Sequence, residues 1–187
     1  MAATSGDRPA TDDMTDGVKV EQSWVRDFSE SWAREYPQAS DTSSLLLISL
    51  LARLSVLIEA FEQDTLKPFD LVPTDYAVLA ALRRVGPPYE LAPHVLYTSL
   101  ERSSGGMNKI LKRLGALGLV DRTPDPTDRR SNLVRLTSEG MELEEQAFEA
   151  FLARTHDLLR TAAPGDIGDI NDAVARLLGI IEANFRR

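Results

Sequence analysis

The sequence predicts a mainly α-helical protein that carries one small β-hairpin. Three observations point there. Apolar residues recur at helical spacing through most of the 187 residues. One stretch, from about Leu119 to Leu136, reads instead as two short strands around a loop rich in Pro and Asp. Helix-breaking residues (Pro37, Pro73, Pro93 and the pair Pro164-Gly165) fall between the periodic runs and not inside them.

Taken in order, residues 1–17 are polar, with Gly, Pro and Asp, and are expected to be a disordered tail. Val25, Phe28, Trp32 and Tyr36 then make a helical stripe that Pro37 stops. Asp41 to Ser44 offer N-caps for a long helix running to about Asp64, apolar around much of its circumference. Such a helix needs more than one neighbour, and in a small protein the second is often another subunit. Pro73-Thr74-Asp75 opens a third helix, with Tyr76, Leu79, Ala80 and Leu82 as its stripe, and Gly86-Pro87-Pro88 ends it. A short helix from about Ala92 to Leu100, a turn at Arg102-Ser103, and a helix capped by Ser103 or Ser104 follow. Gly118 is a natural C′ residue for that last helix. The hairpin comes next, then a helix capped by Thr137 that reaches about Thr161, and a last helix from about Asp166.

This order is that of a winged helix-turn-helix with helical extensions at both ends. The expected division is a tail (1–17), N-terminal dimerisation helices (18–66), a winged helix-turn-helix lobe (70–140) and C-terminal dimerisation helices (141–187). In helix-turn-helix geometry the second helix enters the DNA major groove.

Composition narrows the functional classes. Apolar residues make up 43% and charged residues 27% of the chain, values typical of soluble globular proteins. The absence of Cys removes disulfides, thiolate zinc sites, cysteine nucleophiles and thiol-based oxidation sensing. With only His94 and His156 present, no metal site is expected, and His94 reads as a surface residue. The N-terminus lacks the apolar and basic regions of a signal peptide. The longest apolar stretch, Leu45 to Phe61, is interrupted by Arg53 and Glu59 and reads as too short and polar for a bilayer. A cytoplasmic protein without a membrane partner is expected. No paired carboxylates in a pocket-like context, Ser/His/Asp arrangement or phosphate-binding glycine loop appears, so neither an enzyme nor a cofactor is expected.

The net charge of −8 argues at first against nucleic acid, but its distribution matters more than its total. From Leu100 to Leu136, eight Lys and Arg face four Asp and Glu, leaving that segment at +4 inside an acidic protein. Its helix puts Met107, Ile110, Leu111, Leu114 and Leu117 on one side and Ser104, Gly105, Asn108, Lys109 and Lys112 on the other. Small residues at the helix start allow close approach to a groove, and the N–H groups there suit phosphate. Asn108 can pair with adenine and Lys109 with guanine acceptors. An ordinary solvated helix face would carry the same residue types. In the hairpin loop, Asp128 can orient Arg130 beside Arg129, and an ordered Arg on a projecting tip suits a narrow minor groove. A solvated tip with a local ion pair is the alternative.

The run from Ser103 to Gly140 resembles the signature of the MarR family. Gly118 to Arg122 matches its Gly-Leu-Val-(Asp/Glu)-Arg, Asp128-Arg129-Arg130 its wing, and Val134 to Gly140 its Val-x-Leu-Thr-x-x-Gly. The resemblance covers about residues 20–160. It implies a homodimer on a pseudo-palindromic double-stranded DNA operator. It also implies Arg130 in the minor groove, and Ser104, Asn108, Lys109 and Lys112, with Ser103 and Gly105, near the major groove. Residues Ser31 to Pro37 and Arg83 to Pro93 resemble the urate-responsive subgroup with an extra N-terminal helix. In that subgroup a Trp, an Asp and two Arg hold the ligand. Trp32 and Arg122 fall on two of those positions, while Ala77 and Ile110 stand at the others.

The resulting expectation is a transcriptional regulator, a repressor, released by a small aromatic or anionic ligand in a cleft lined by Trp32, Leu54, Tyr76 and Arg122. The alternative is a helical dimeric protein-interaction module without DNA recognition. Tyr97 fits either a phosphate contact or packing against the long helix.

Overall fold

The structure is a computed structural model, and it describes residues 16–38, 41–126 and 132–185; in the first helix the side chains are described from Val25 on, Ser29 excepted. The chain divides into two compact units, Met1–Ile58 and Glu59–Arg187.

The first unit holds α1 (Asp16–Glu35) and most of α2 (Ser43–Leu66). The stripe expected on α1 is an aromatic run: Trp32 lies 6.2 Å from Phe28 and 5.4 Å from Tyr36, ring centre to ring centre. α1 begins two residues inside the expected tail; the rest of that tail, residues 1–15, lies outside the described residues. At the start of α2 the Ser43 N–H donates to Asp41 Oδ1 at 2.8 Å, and this bond holds the Asp41 carboxyl below its ordinary range. Ile48, Leu54, Val56, Leu57 and Ile58 on α2 are all more than half exposed or at that limit. The membrane reading of this helix needs correction. Extended by the 3₁₀ turn Lys67–Phe69, it is long and apolar enough by length and composition to cross a bilayer; Arg53 and Glu59 do not shorten it sufficiently.

The second unit carries the core. α3 (Pro73–Arg84), α4 (Pro93–Ser99) and α5 (Ser104–Ala116) turn Val78, Leu79, Leu82, Leu96, Met107 and Leu114 inward until almost nothing of them is exposed. Each such side chain contributes about 1.5–3 kcal/mol by leaving water. Val120, Val134 and Leu136 close the core from β2 (Val120–Pro124) and β3 (Asn132–Leu136), and Ala147 from α6 (Ser138–Leu158). The final helix, α7 (Asp166–Phe185), has no buried residue; Ile170, Val174, Leu178, Ile180 and Phe185 are all exposed.

The sheet is larger than the hairpin expected from sequence. A two-residue strand, β1 (Glu90–Leu91), pairs with β3 on the side away from β2, giving an antiparallel sheet ordered β1-β3-β2. Two residues are too few to show a period of two, so no sequence pattern announced it. Leu117 is a second correction. It is 47% exposed instead of facing inward, because it is the C-cap of α5 and the helical path ends there.

Candidate nucleic-acid interface

α4 and α5 form the helix-turn-helix. The turn is made at Glu101, which takes a positive φ of 51°, and the Arg102 N–H donates to the Tyr97 carbonyl at 2.9 Å. Of the two expected caps, Ser103 is the one: its Oγ accepts the Gly106 N–H at 3.1 Å. The N–H groups of Ser104 and Gly105, the first two of the helix, have no partner among the described residues. A Cβ on Gly105 would meet open space, so the helix start is sterically unobstructed from that side.

Ser103, Ser104, Gly105, Asn108, Lys109 and Lys112 are all exposed, while Met107, Leu111 and Leu114 on the opposite face are buried. The two faces expected from spacing are therefore present. At its C-terminus α5 stops in a Schellman arrangement: Leu119 N–H donates to the Leu114 carbonyl at 3.0 Å and Gly118 N–H to the Gly115 carbonyl at 3.1 Å. Gly118 takes φ 73°, which only glycine adopts without strain.

Two Arg counted in the basic segment have other roles. Arg113 leans away from the exposed face of α5. Its Nη1 lies 3.0 Å from Asp75 Oδ2, and its Nη2 donates to the Asp70 carbonyl at 2.9 Å. Asp75 is 1% exposed and also accepts the Val72 N–H at 3.3 Å, so this carboxylate caps α3 and grips the recognition helix at once. Arg135 pairs with Asp121 at 3.1 Å, directly opposite it across the β2–β3 ladder. Arg102, Lys109, Lys112 and Arg122 have no ion-pair partner among the described residues, so each contributes uncompensated positive charge.

The wing is described up to Pro126 and again from Asn132. The expected contacts Asp128, Arg129 and Arg130 lie outside the described residues. What holds the wing base is clear. Thr137 caps α6 by accepting the Gly140 N–H at 3.0 Å, and its hydroxyl donates to the Gly118 carbonyl at 2.7 Å. Gly140 sits so close to the Leu119 carbonyl that a Cβ there would overlap it.

Two of the residues expected to hold a ligand, Tyr76 and Arg122, line different cavities. Tyr76 lines an open cleft of about 1100 Å³ between α3, α6 and the end of α2. Arg122 lines a different cavity, of about 370 Å³, beside Lys112 and Val134. Trp32 belongs to the other compact unit and is about one-third exposed. Tyr97 is half-buried and packs against the core; His94 is exposed, and no group of metal-binding side chains occurs among the described residues.

Sequence reading missed several residues of the larger cleft. Glu144 is only 5% exposed, and its Oε2 lies 3.6 Å from Arg83 Nε. Burial pushes its carboxyl above the ordinary range, with Arg83 pulling the other way and Glu145 adding to the rise. The Tyr76 hydroxyl is also raised, by burial first and then by the charge of Glu144, with Arg84 opposing. The signal was present: Gly140, Glu144, Ala147 and Phe151 fall at spacings of one helical turn, so a carboxylate stands on the inward face of α6.

Comparison with known proteins accords with this architecture. Residues 69–131 match the sequence profile of the MarR family. The chain is 31% identical over 135 residues to the HTH-type transcriptional regulator PecS of Dickeya dadantii (strain 3937), covering 72% of this chain and 81% of that protein. It is 32% identical over 86 residues to the multiple antibiotic resistance protein MarR of Escherichia coli (strain K12), covering 46% of this chain and 58% of the relative. Among solved structures, a mutant MarR from E. coli complexed with operator DNA superposes with a TM-score of 0.65 at 23% identity, over 74% of this chain and 99% of that one. CouR from Rhodococcus jostii RHA1, bound to p-coumaroyl-CoA, gives a TM-score of 0.60 at 22% identity, over 68% of this chain and 88% of that one. At these identities the structural likeness speaks for the fold. With the profile match, the long alignment to PecS and the helix-turn-helix and wing in place, the chain belongs to the MarR family.

Proposed function

We propose that the protein is a transcriptional repressor in the cytoplasm that binds a pseudo-palindromic operator as a homodimer. The observation that carries this reading is the face of α5: exposed small, amide and lysine side chains opposite a buried apolar stripe, on a helix whose first N–H groups are open to an anion. In this reading α5 lies in the major groove. Asn108 and Lys109 meet base edges, and Ser103, Ser104, Gly105 and Lys112 position the helix on the backbone. Asp128, Arg129 and Arg130 also contact the DNA in this reading, Arg130 in the minor groove.

The homodimer reading rests on apolar surface that one chain leaves uncovered. α7 exposes a stripe of Ile, Val, Leu and Phe, and α2 separately exposes Ile48, Leu54, Val56 and Leu57. Contiguous apolar surface of this kind calls for a partner, and a second copy is the simplest one. Residues 18–66 and 141–187 then act as dimerisation helices and 70–140 as the DNA-binding lobe. The subgroup with the extra N-terminal helix fits α1, with Trp32 in its aromatic run.

The cleft around Tyr76 is the effector site in this account. It lies between the end of α2 and the lobe carrying α5, so an occupant there acts on the spacing of the two recognition helices, which one turn of DNA sets at about 34–36 Å. Arg122, beside Lys112, is then a phosphate contact or a neighbour of one more readily than part of that cleft.

Lys109→Ala tests the interface. On operators enriched from a random duplex library, we expect about a tenfold loss on the preferred sequence, with little change on unrelated DNA. An equal loss on both would make Lys109 a phosphate contact. Failure of the intact protein to enrich any duplex would contradict DNA recognition and leave a protein-interaction module.

A further inference from the structure

We propose that the cleft around Tyr76 and Glu144 takes a lipophilic aromatic cation. This rests on reading the cleft as the effector site; of the small aromatic or anionic ligand expected from the sequence, it keeps the aromatic character and reverses the charge.

The walls argue for an aromatic occupant. Tyr76 and Phe151 stack at 5.7 Å and 12°, and Phe61 meets Phe151 edge-on at 5.5 Å. The cleft holds about 1100 Å³, and Ala77 and Ala80 leave its α3 wall low.

The charges decide the sign. Glu62, Glu144, Glu145 and Glu149 face Arg83 and Arg84 across the cleft. Arg83 is shared by Glu144 and Glu145, at 3.6 Å each, and its guanidinium also lies over the Tyr89 ring. Glu62 and Glu149 have no ion-pair or hydrogen-bond partner among the described residues. Glu144 is the least usual: 5% exposed, lining the cleft, and held only by a contact longer than a hydrogen bond. An anion here would meet four carboxylates and two Arg. A cation supplies what the buried carboxylate lacks, and aromatic faces add cation–π attraction.

The experiment is calorimetric titration of the full-length protein, without DNA, with two ions of the same shape and opposite charge, tetraphenylphosphonium and tetraphenylborate. The expected result is saturable phosphonium binding about tenfold or more tighter than borate binding. Glu144→Gln is expected to weaken the phosphonium about tenfold and leave the borate unchanged. Glu149→Gln, on the exposed rim where folding is not at stake, is expected to weaken it by about threefold. Equal or tighter borate binding overturns the proposal. So does absence of phosphonium binding, as when a second copy fills the cleft, or unchanged affinity in both variants. Because no DNA is present, a failure of operator binding would overturn the regulator reading and leave the cation result standing.

Discussion

Gly140 shows how a single residue is fixed by its surroundings. It is in the first turn of α6, where the backbone passes against the Leu119 carbonyl too closely for any Cβ. Gly140→Ala is expected to lower stability by about 1–3 kcal/mol or more, read as a fall in the urea midpoint with an unchanged slope. An unchanged midpoint would mean that α6 can slide off β2 at little cost. Glu144 makes the opposite case, a residue whose ionised form is disfavoured by its place. Its folded pKa lies above the unfolded value of about 4.3. The protonated form therefore contributes stability that is fully present below the unfolded pKa and lost as pH rises through the folded one. The melting temperature of the protein, relative to that of Glu144→Gln, is expected to fall as pH rises from the unfolded value of about 4.3 through the raised folded one. A gap that is flat or widens in the other direction would contradict the assignment. Neither residue was singled out for these roles by pattern alone. Gly140 stood in the family signature without a reason, and the reason is the Leu119 carbonyl; Glu144 was one more charge on a charged helix.

At the scale of elements, α5 is held in place by a residue that lies off its exposed amide-and-lysine face. Arg113 ties α5 to the first turn of α3 through Asp75 and to the preceding turn through the Asp70 carbonyl. Arg113→Ala leaves a carboxylate that is 1% exposed without its cation. The expected loss is about 1–3 kcal/mol of stability. Operator affinity should fall too, although Arg113 does not lie on the face assigned to DNA. Arg113→Lys, which keeps the charge but not the two-pronged grip, is expected to recover part of both. Full activity in Arg113→Ala would show that core packing alone positions α5. The elements themselves were largely legible. Pro37, Pro73, Pro93 and Pro164 mark the boundaries seen, and Ser103 and Thr137 are the caps expected. β1 was not legible, because two residues carry no period and their strand identity comes from β3 beside them. The inward place given to Leu117 failed for a related reason: spacing continues on paper past the point where Gly118 turns the chain.

For the molecule as a whole, charge and apolar surface are distributed unevenly, and the distribution says more than the total. A chain of net charge −8 gathers Arg102, Lys109, Lys112 and Arg122 around one helix and hairpin, and keeps Glu62, Glu144, Glu145 and Glu149 at the cleft behind it. The first group was visible in the sequence because its members are close along the chain. The second was not, since the fold brings α2, α3 and α6 together from separate stretches. The helix read as apolar around much of its circumference, α2, is exposed along much of its length in a single chain, and α7 exposes an apolar stripe of its own. The most direct test of the central claim is DNase footprinting of the purified protein on the DNA upstream of its own gene, at two salt concentrations. The account predicts a protected pseudo-palindrome with half-sites about one turn apart, and affinity that falls steeply as salt rises. Absence of binding to that DNA and to every other genomic fragment, even at low salt, would contradict it.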